Sequence, residues 1–236
     1  MVKWILFITV IFLAGAYNAC CWLPRRVVPH KKKRRILCIG DSITFGAGVV
    51  MTRWKDAWPA ILNRKLGHQY QVMNYGISGA TAQEGTDKAY SPAFRAAAMR
   101  TEPELCIFML GTNDSKPHNW DIVSYEQSVS GWIADLRARA SHPKIILTVP
   151  PAAFPVDGSP IAFSIRDEVI RDEIRPLLFH LAERENVGLL DLYEATRDHP
   201  EWFADGVHPN EIGNLAIADL IRKAINNKEN EQEDRP

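Results

Sequence analysis

Short apolar runs alternate with longer amphipathic stretches along most of this chain. The runs ILCIG (36–40), YQVMNYG (70–76), LCIFMLG (105–111), KIILTVP (144–150) and VGLLDL (187–192) read as strands. Their near-continuous apolar character is that of strands covered on both faces. Between and after them, segments of helical period fall near 54–66, 86–99, 121–140, 163–186 and 209–226. Parallel neighbours need a crossover, and right-handed crossovers place helices on both faces of a sheet. The pattern therefore predicts an α/β fold, a three-layer α/β/α sandwich on a five-stranded parallel sheet. In the longest helix, Ile165, Val169, Ile170, Ile174, Leu177, Leu178 and Leu181 form a core-facing stripe, and Asp167 stands four positions before Arg171. Pro176 is expected to kink this helix or to end its first half, because it has no N–H for the helical ladder.

The amino terminus breaks the alternation. One lysine is followed by an apolar run from Trp4 to Tyr17 containing Ala14-Gly15-Ala16, the layout of a secretory signal. Export is the expectation, to the periplasm, the medium or a membrane. Counted on to Leu23, across Asn18, the segment approaches the length of a bilayer span, and basic residues follow it. A retained anchor, giving membrane association through residues 4–23, is the alternative. The chain is thus divided into a signal peptide or anchor (1–24), a basic linker (25–35), one globular domain (36–226) and a polar tail (227–236).

With 236 residues, 46% of them apolar, the chain suits a single well-buried domain. Lys plus Arg and Asp plus Glu each number 28, so overall charge gives no reason to expect a nucleic-acid partner. The basic cluster from Arg25 to Arg35 and the acid-rich end NKENEQEDRP read as solvated flanks. Cys38 and Cys106 lie within apolar runs and read as small buried hydrophobes, and no C-x-x-C spacing suggests zinc.

The first three strand runs end in glycine and small polar residues: Gly40-Asp41-Ser42, Gly76-Ile77-Ser78-Gly79 and Gly111-Thr112-Asn113-Asp114. In a parallel sheet these ends share the edge where ligands bind. A fourth segment, Asp205-Gly206-Val207-His208-Pro209, precedes the last helix, which Pro209 is suited to begin. Together they can supply a nucleophile (Ser42), a base (His208), a carboxylate to orient it (Asp205) and an oxyanion hole from the Ser42 N–H, the Gly76 N–H and the Asn113 amide. Singly, each residue is as well explained by a turn or cap. Four separate turns supplying the complementary roles of one mechanism are not. Gly46-Ala47-Gly48 has Met51 where a dinucleotide motif needs glycine, and G-x-S-x-G is absent.

The blocks GDSIT, NYGISG, GTND and DGVHPN, in that order across Gly40 to Asn210, resemble those of the SGNH (GDSL-type) hydrolase family. The resemblance implies a flavodoxin-like fold, residues 36–226 as the hydrolase domain, and ester hydrolysis by Ser42, Asp205 and His208 without metal or cofactor. The stretch GTNDSKPHNW resembles the carbohydrate acetylesterase branch, implying an acetyl or other short-chain ester on a sugar as substrate. Asp41, Asp114, Lys116, Trp120, Phe154 and Trp202 are the expected substrate contacts, with Trp54, Phe94 and Phe203 as further candidate walls, although such aromatics commonly belong to the core. The loop PPAAFPVDGSP is placed to border the site. Two alternatives stand beside this reading. One is a lysophospholipase or thioesterase using Val49, Val50 and Met51 as an acyl slot; the other is a carbohydrate-binding protein on the same fold.

Overall fold

The computed structural model describes residues 21–233. The expected leader up to position 20, with Ala14-Gly15-Ala16, lies outside the described residues, as do the last three positions. Five strands, β1 (Arg34–Gly40), β2 (Tyr70–Gly76), β3 (Leu105–Met109), β4 (Lys144–Val149) and β5 (Gly188–Asp191), form one sheet in the order β2-β1-β3-β4-β5. Every pairing is parallel. The order reverses between β1 and β3, which opens a crevice beyond their carboxyl ends. There Gly40 pairs with Gly76 on one side and Met109 on the other, so the three loops that follow start level.

Alternating side chains send Leu37, Ile39, Cys106, Phe108 and Leu147 to one face of the sheet and Ile36, Cys38, Ile107 and Ile146 to the other. The first face is covered by α3 (Pro92–Met99), α4 (Ile122–Arg137) and α5 (Arg175–Arg184); the second by α2 (Trp58–Leu66) and α7 (Glu211–Glu233). Two short helices lie at the site edge, α1 (Ser42–Phe45) and α6 (Leu192–Thr196). Trp132 and Tyr125 of α4 are fully buried, and each such side chain removed from water contributes about 1.5–3 kcal/mol.

The helices differ from the periodicity in instructive ways. The expected helix at 54–66 is split at Ala57, whose ψ of 145° is extended, because Pro59 is tolerated only in the first turn of a new helix. The one expected at 86–99 begins only at Pro92, a residue preset for a first helical position. Pro176 falls in the first turn of the segment Arg175–Arg184, where the helical ladder restarts. A π-helical turn, Ile170–Ile174, precedes it and absorbs the hydrogen bond that it cannot make. Arg171 pairs with the adjacent Asp172 instead of Asp167, whose carboxylate accepts from Ala153 N and Tyr193 Oη. The last helix continues to Glu233, through most of the expected tail, whose Glu, Lys and Gln favour helix.

Residues 21–28 lie as a strap against the domain. Cys21 is buried, and Arg53 donates from Nε to Cys21 O at 2.9 Å and from Nη2 to Leu23 O at 2.7 Å. Further on, Gln71 Nε2 donates to Val28 O at 2.9 Å. The division expected at residue 24 therefore falls within packed structure, since Arg53 holds the carbonyls on either side of Trp22. Among the described residues, no helix is long and apolar enough to cross a membrane.

Candidate active site

β1 delivers the chain to Asp41, whose carboxylate caps α1 by accepting from Ile43 N at 2.9 Å. Ser42 is thereby the first residue of α1, where its own N–H has no intrahelical acceptor. His208 Nε2 lies 2.9 Å from Ser42 Oγ, and His208 Nδ1 lies 2.6 Å from Asp205 Oδ2. The other oxygen, Asp205 Oδ1, accepts from Val207 N at 3.0 Å and His208 N at 2.7 Å, so one carboxylate both folds the turn and orients the ring. Burial would raise the Asp205 pKa, but bonds from the His208 ring and backbone outweigh it and leave the carboxyl at about 2. Ionised Asp205 favours a proton on His208 Nδ1, which leaves Nε2 free to accept one from Ser42.

Pro209 does not begin the last helix. Asn210 caps it instead, accepting from Gly213 N at 3.0 Å, and α7 starts at Glu211. Buried Asn214 accepts from Trp58 N at 2.9 Å and donates to Pro209 O at 2.7 Å, which ties the His208 turn to α2. No motif marked this residue.

The glycine block differs from expectation. Gly76 N–H donates to Asn74 Oδ1 at 2.9 Å and is not available to an oxyanion. Its glycine serves packing instead, since a Cβ there would stand 2.3 Å from Phe45 N on α1. Gly79, three residues on, lines the cavity that holds Ser42 and His208. It sits at φ +81° in a turn closed by Ala80 N to Ile77 O at 3.0 Å, a bond that leaves its own N–H unused. Asn113 lines the same cavity and spends one amide hydrogen on Ala80 O at 3.2 Å, leaving the second for a ligand.

The cavity measures about 290 Å³. Of the expected substrate contacts, Lys116 lines it, 3.6 Å from Asp87. Asp41 and Asp114 are buried structural groups. Asp114 accepts from Ala82 N and Gln83 N, both at 3.0 Å, and so pins the loop after β2 to the loop after β3. Burial pushes both carboxyls up to about 6, against the hydrogen bonds they accept. Trp120, Phe154 and Trp202 are absent from the lining. The Trp120 indole donates to Glu173 at 2.8 Å, Phe154 packs on Phe203 at 5.5 Å, and Trp202 stacks on His199 at 3.9 Å. Val49, Val50 and Met51 line a separate depression that excludes Ser42. The aromatic walls are instead Trp22, hidden in the apparent leader, and Phe163, a non-glycine residue at φ +59° with its ring 5.1 Å from His208. Among the described residues, no group of His, Cys, Asp and Glu is arranged to hold a metal ion.

Residues 38–216 match the GDSL-like lipase/acylhydrolase family, and the chain belongs to it, a class of ester-cleaving hydrolases. It is 34% identical over 224 residues to an acetylxylan esterase of Xylanibacter ruminicola, covering 86% of this chain and 45% of that protein. The chain thus spans less than half that relative's length. Over 192 residues it is 26% identical to thioesterase 1/protease 1/lysophospholipase L1 of Escherichia coli, covering 80% of this chain and 82% of the relative. Among solved structures, a carbohydrate acetylesterase from Sinorhizobium meliloti superposes with a TM-score of 0.65 at 21% identity, over 82% of this chain and 98% of that one, a likeness of fold.

Proposed function

We propose that this protein is an exported serine esterase that removes acetyl and other short acyl groups from carbohydrate. The observation that carries the reading is the contact series Asp205 Oδ2, His208, Ser42 Oγ, at 2.6 and 2.9 Å, opening on a cavity. Ser42 Oγ attacks the acyl carbon while His208 Nε2 takes its proton, and the carbonyl electrons move onto oxygen. The Ser42 N–H, the Gly79 N–H and the free Asn113 amide hydrogen receive that charge. Collapse breaks the bond to the alcohol, which leaves with the proton from His208. Water, deprotonated by His208, then releases the acid and restores Ser42.

The cavity volume of about 290 Å³ supports a short acyl group with one sugar ring rather than a long chain. The likeness to an acetylxylan esterase favours the same class. The Escherichia coli relative favours a second reading, thioester or lysophospholipid hydrolysis. The signal-like start supports export. Hydrolysis of acetyl, butyryl and octanoyl esters by the wild type and Ser42→Ala tests the proposal. Acetyl turnover should dominate and vanish in the variant while the melt stays unchanged. Octanoyl preference supports the second reading, and Ser42-independent turnover removes the mechanism.

A further inference from the structure

We infer that the strap at residues 21–28 is a working part of the active site: Trp22 is a binding wall for the ring of the substrate's alcohol half, and Arg53 is the positioning residue that sets it there. This rests on the esterase reading above.

Trp22 lines the same cavity as Ser42 and His208. Its indole stacks on Phe45 with centroids 6.1 Å apart and planes at 15°. Phe45 is the last residue of α1, the helix that Ser42 begins, so the indole is referenced to the nucleophile's own element. Arg53 then fixes the backbone on both sides of the indole, through Cys21 O at 2.9 Å and Leu23 O at 2.7 Å, while its guanidinium lies 4.0 Å from the centre of the Phe45 ring. Only 9% of Arg53 is exposed. A buried guanidinium whose hydrogen bonds go to backbone carbonyls is an expensive way to hold a merely passive segment.

Despite this anchoring, Trp22 remains 45% exposed. A large aromatic surface that is held still yet left open is suited to stack on a ring ligand at little entropic cost. Phe163, which lines the same cavity, is 56% exposed and meets His208 edge-on. Phe163 and Ser164 both sit at positive φ, 59° and 58°, a strained pair that persists only where the surroundings impose it. One aromatic is thus fixed to the helix of Ser42 and the other to the ring of His208, which hands its proton to the leaving oxygen. The chemistry this fits is an alcohol carried on a ring with an apolar C–H face, as in a pyranose.

The test compares acetylated xylose with ethyl acetate, which has no ring, in the wild type, Ser42→Ala, Trp22→Ala, Trp22→Tyr and Arg53→Lys. Trp22→Ala should lower kcat/KM for acetylated xylose about ten-fold more than for ethyl acetate, chiefly through KM, and Trp22→Tyr should recover most of the loss. Arg53→Lys should shift KM in the same direction, because one ammonium cannot bracket two carbonyls. Equal losses on both esters, or a wild type that does not prefer the ring-bearing ester, overturn the proposal. So does a gain of butyryl turnover in Trp22→Ala, which places the indole on the acyl side. Absence of Ser42-dependent turnover on either ester defeats the esterase reading itself.

Discussion

His208 Nε2 stands 2.9 Å from Ser42 Oγ although the two are 166 positions apart in the chain. The sheet order explains the meeting. β1 ends beside the switch point, and α7 returns across the same face to place the turn that precedes it over Ser42. Both partners are held by carboxylates that accept a backbone N–H two residues on, Asp41 from Ile43 and Asp205 from Val207, so the contact is built from two local turns.

Asp205→Asn retains the size of the side chain but removes the acceptor that fixes the His208 tautomer. On the proposed mechanism kcat falls by about four orders of magnitude. Burst kinetics with an aryl acetate would report it, and a loss of less than ten-fold would show that Asp205 does not orient the base.

On the same mechanism Asn113→Ala removes one proposed oxyanion donor and should lower kcat by about 10²- to 10³-fold with KM nearly unchanged. Gly79→Ala and Gly76→Ala should separate the two glycines. The first should impair turnover, whereas the second should chiefly lower Tm, since its Cβ would meet Phe45 N at 2.3 Å. A Gly76→Ala variant with a wild-type melt would count against the close approach of β2 and α1 at this position.

The buried acids give stability a pH slope of unusual sign. Asp41 and Asp114 are raised to about 6 in the fold, so the folded state binds their protons more tightly than the unfolded chain does. Stability from this source is complete below about pH 4 and is lost as pH rises through about 6, by roughly 3 kcal/mol per group. Asp205, lowered to about 2, acts oppositely, stabilising above about pH 4 and losing that effect as pH falls toward 2. Urea midpoints at intervals from pH 3 to 7 should therefore decline between pH 4 and 6, and Asp41→Asn should flatten that limb. Parallel curves for wild type and variant would count against the raised value.

Asn214→Ala leaves the N–H of buried Trp58 without an acceptor. The expected cost is about 1–3 kcal/mol, read as a lower urea midpoint. Because Asn214 also holds Pro209 O next to His208, kcat should fall as well. A change in stability alone would limit Asn214 to the core.

Much of this was legible in the chain. Each strand lies within two residues of its apolar run, because a strand covered on both faces announces itself by composition. Ser42, Asp205, His208 and Asn113 stood out because each follows a strand or precedes a helix at one edge. What escaped depended on packing between distant segments. NYGISG contains two glycines, and only the seating of α1 on β2 assigns Gly76 to close approach and Gly79 to the cavity. Trp120, Phe154 and Trp202 looked like pocket walls, but each already has a partner in Glu173, Phe203 or His199. Trp22 was invisible because it adjoins an apolar run that reads as a leader, and only its contact with Phe45 reveals its place.

The strap held by Arg53 also sets a radius. Tyr17, where the apolar run closes, is five residues before Trp22, and five residues of chain reach at most about 18 Å. If that run is fixed, chain connectivity alone keeps Trp22 within the same distance of it. On the proposed reading, a chain that keeps the run in a bilayer would act only on ester-bearing carbohydrate at that surface. A chain released by cleavage at Ala14-Gly15-Ala16 would carry the same pocket, with Trp22 still in place, to substrates in free solution.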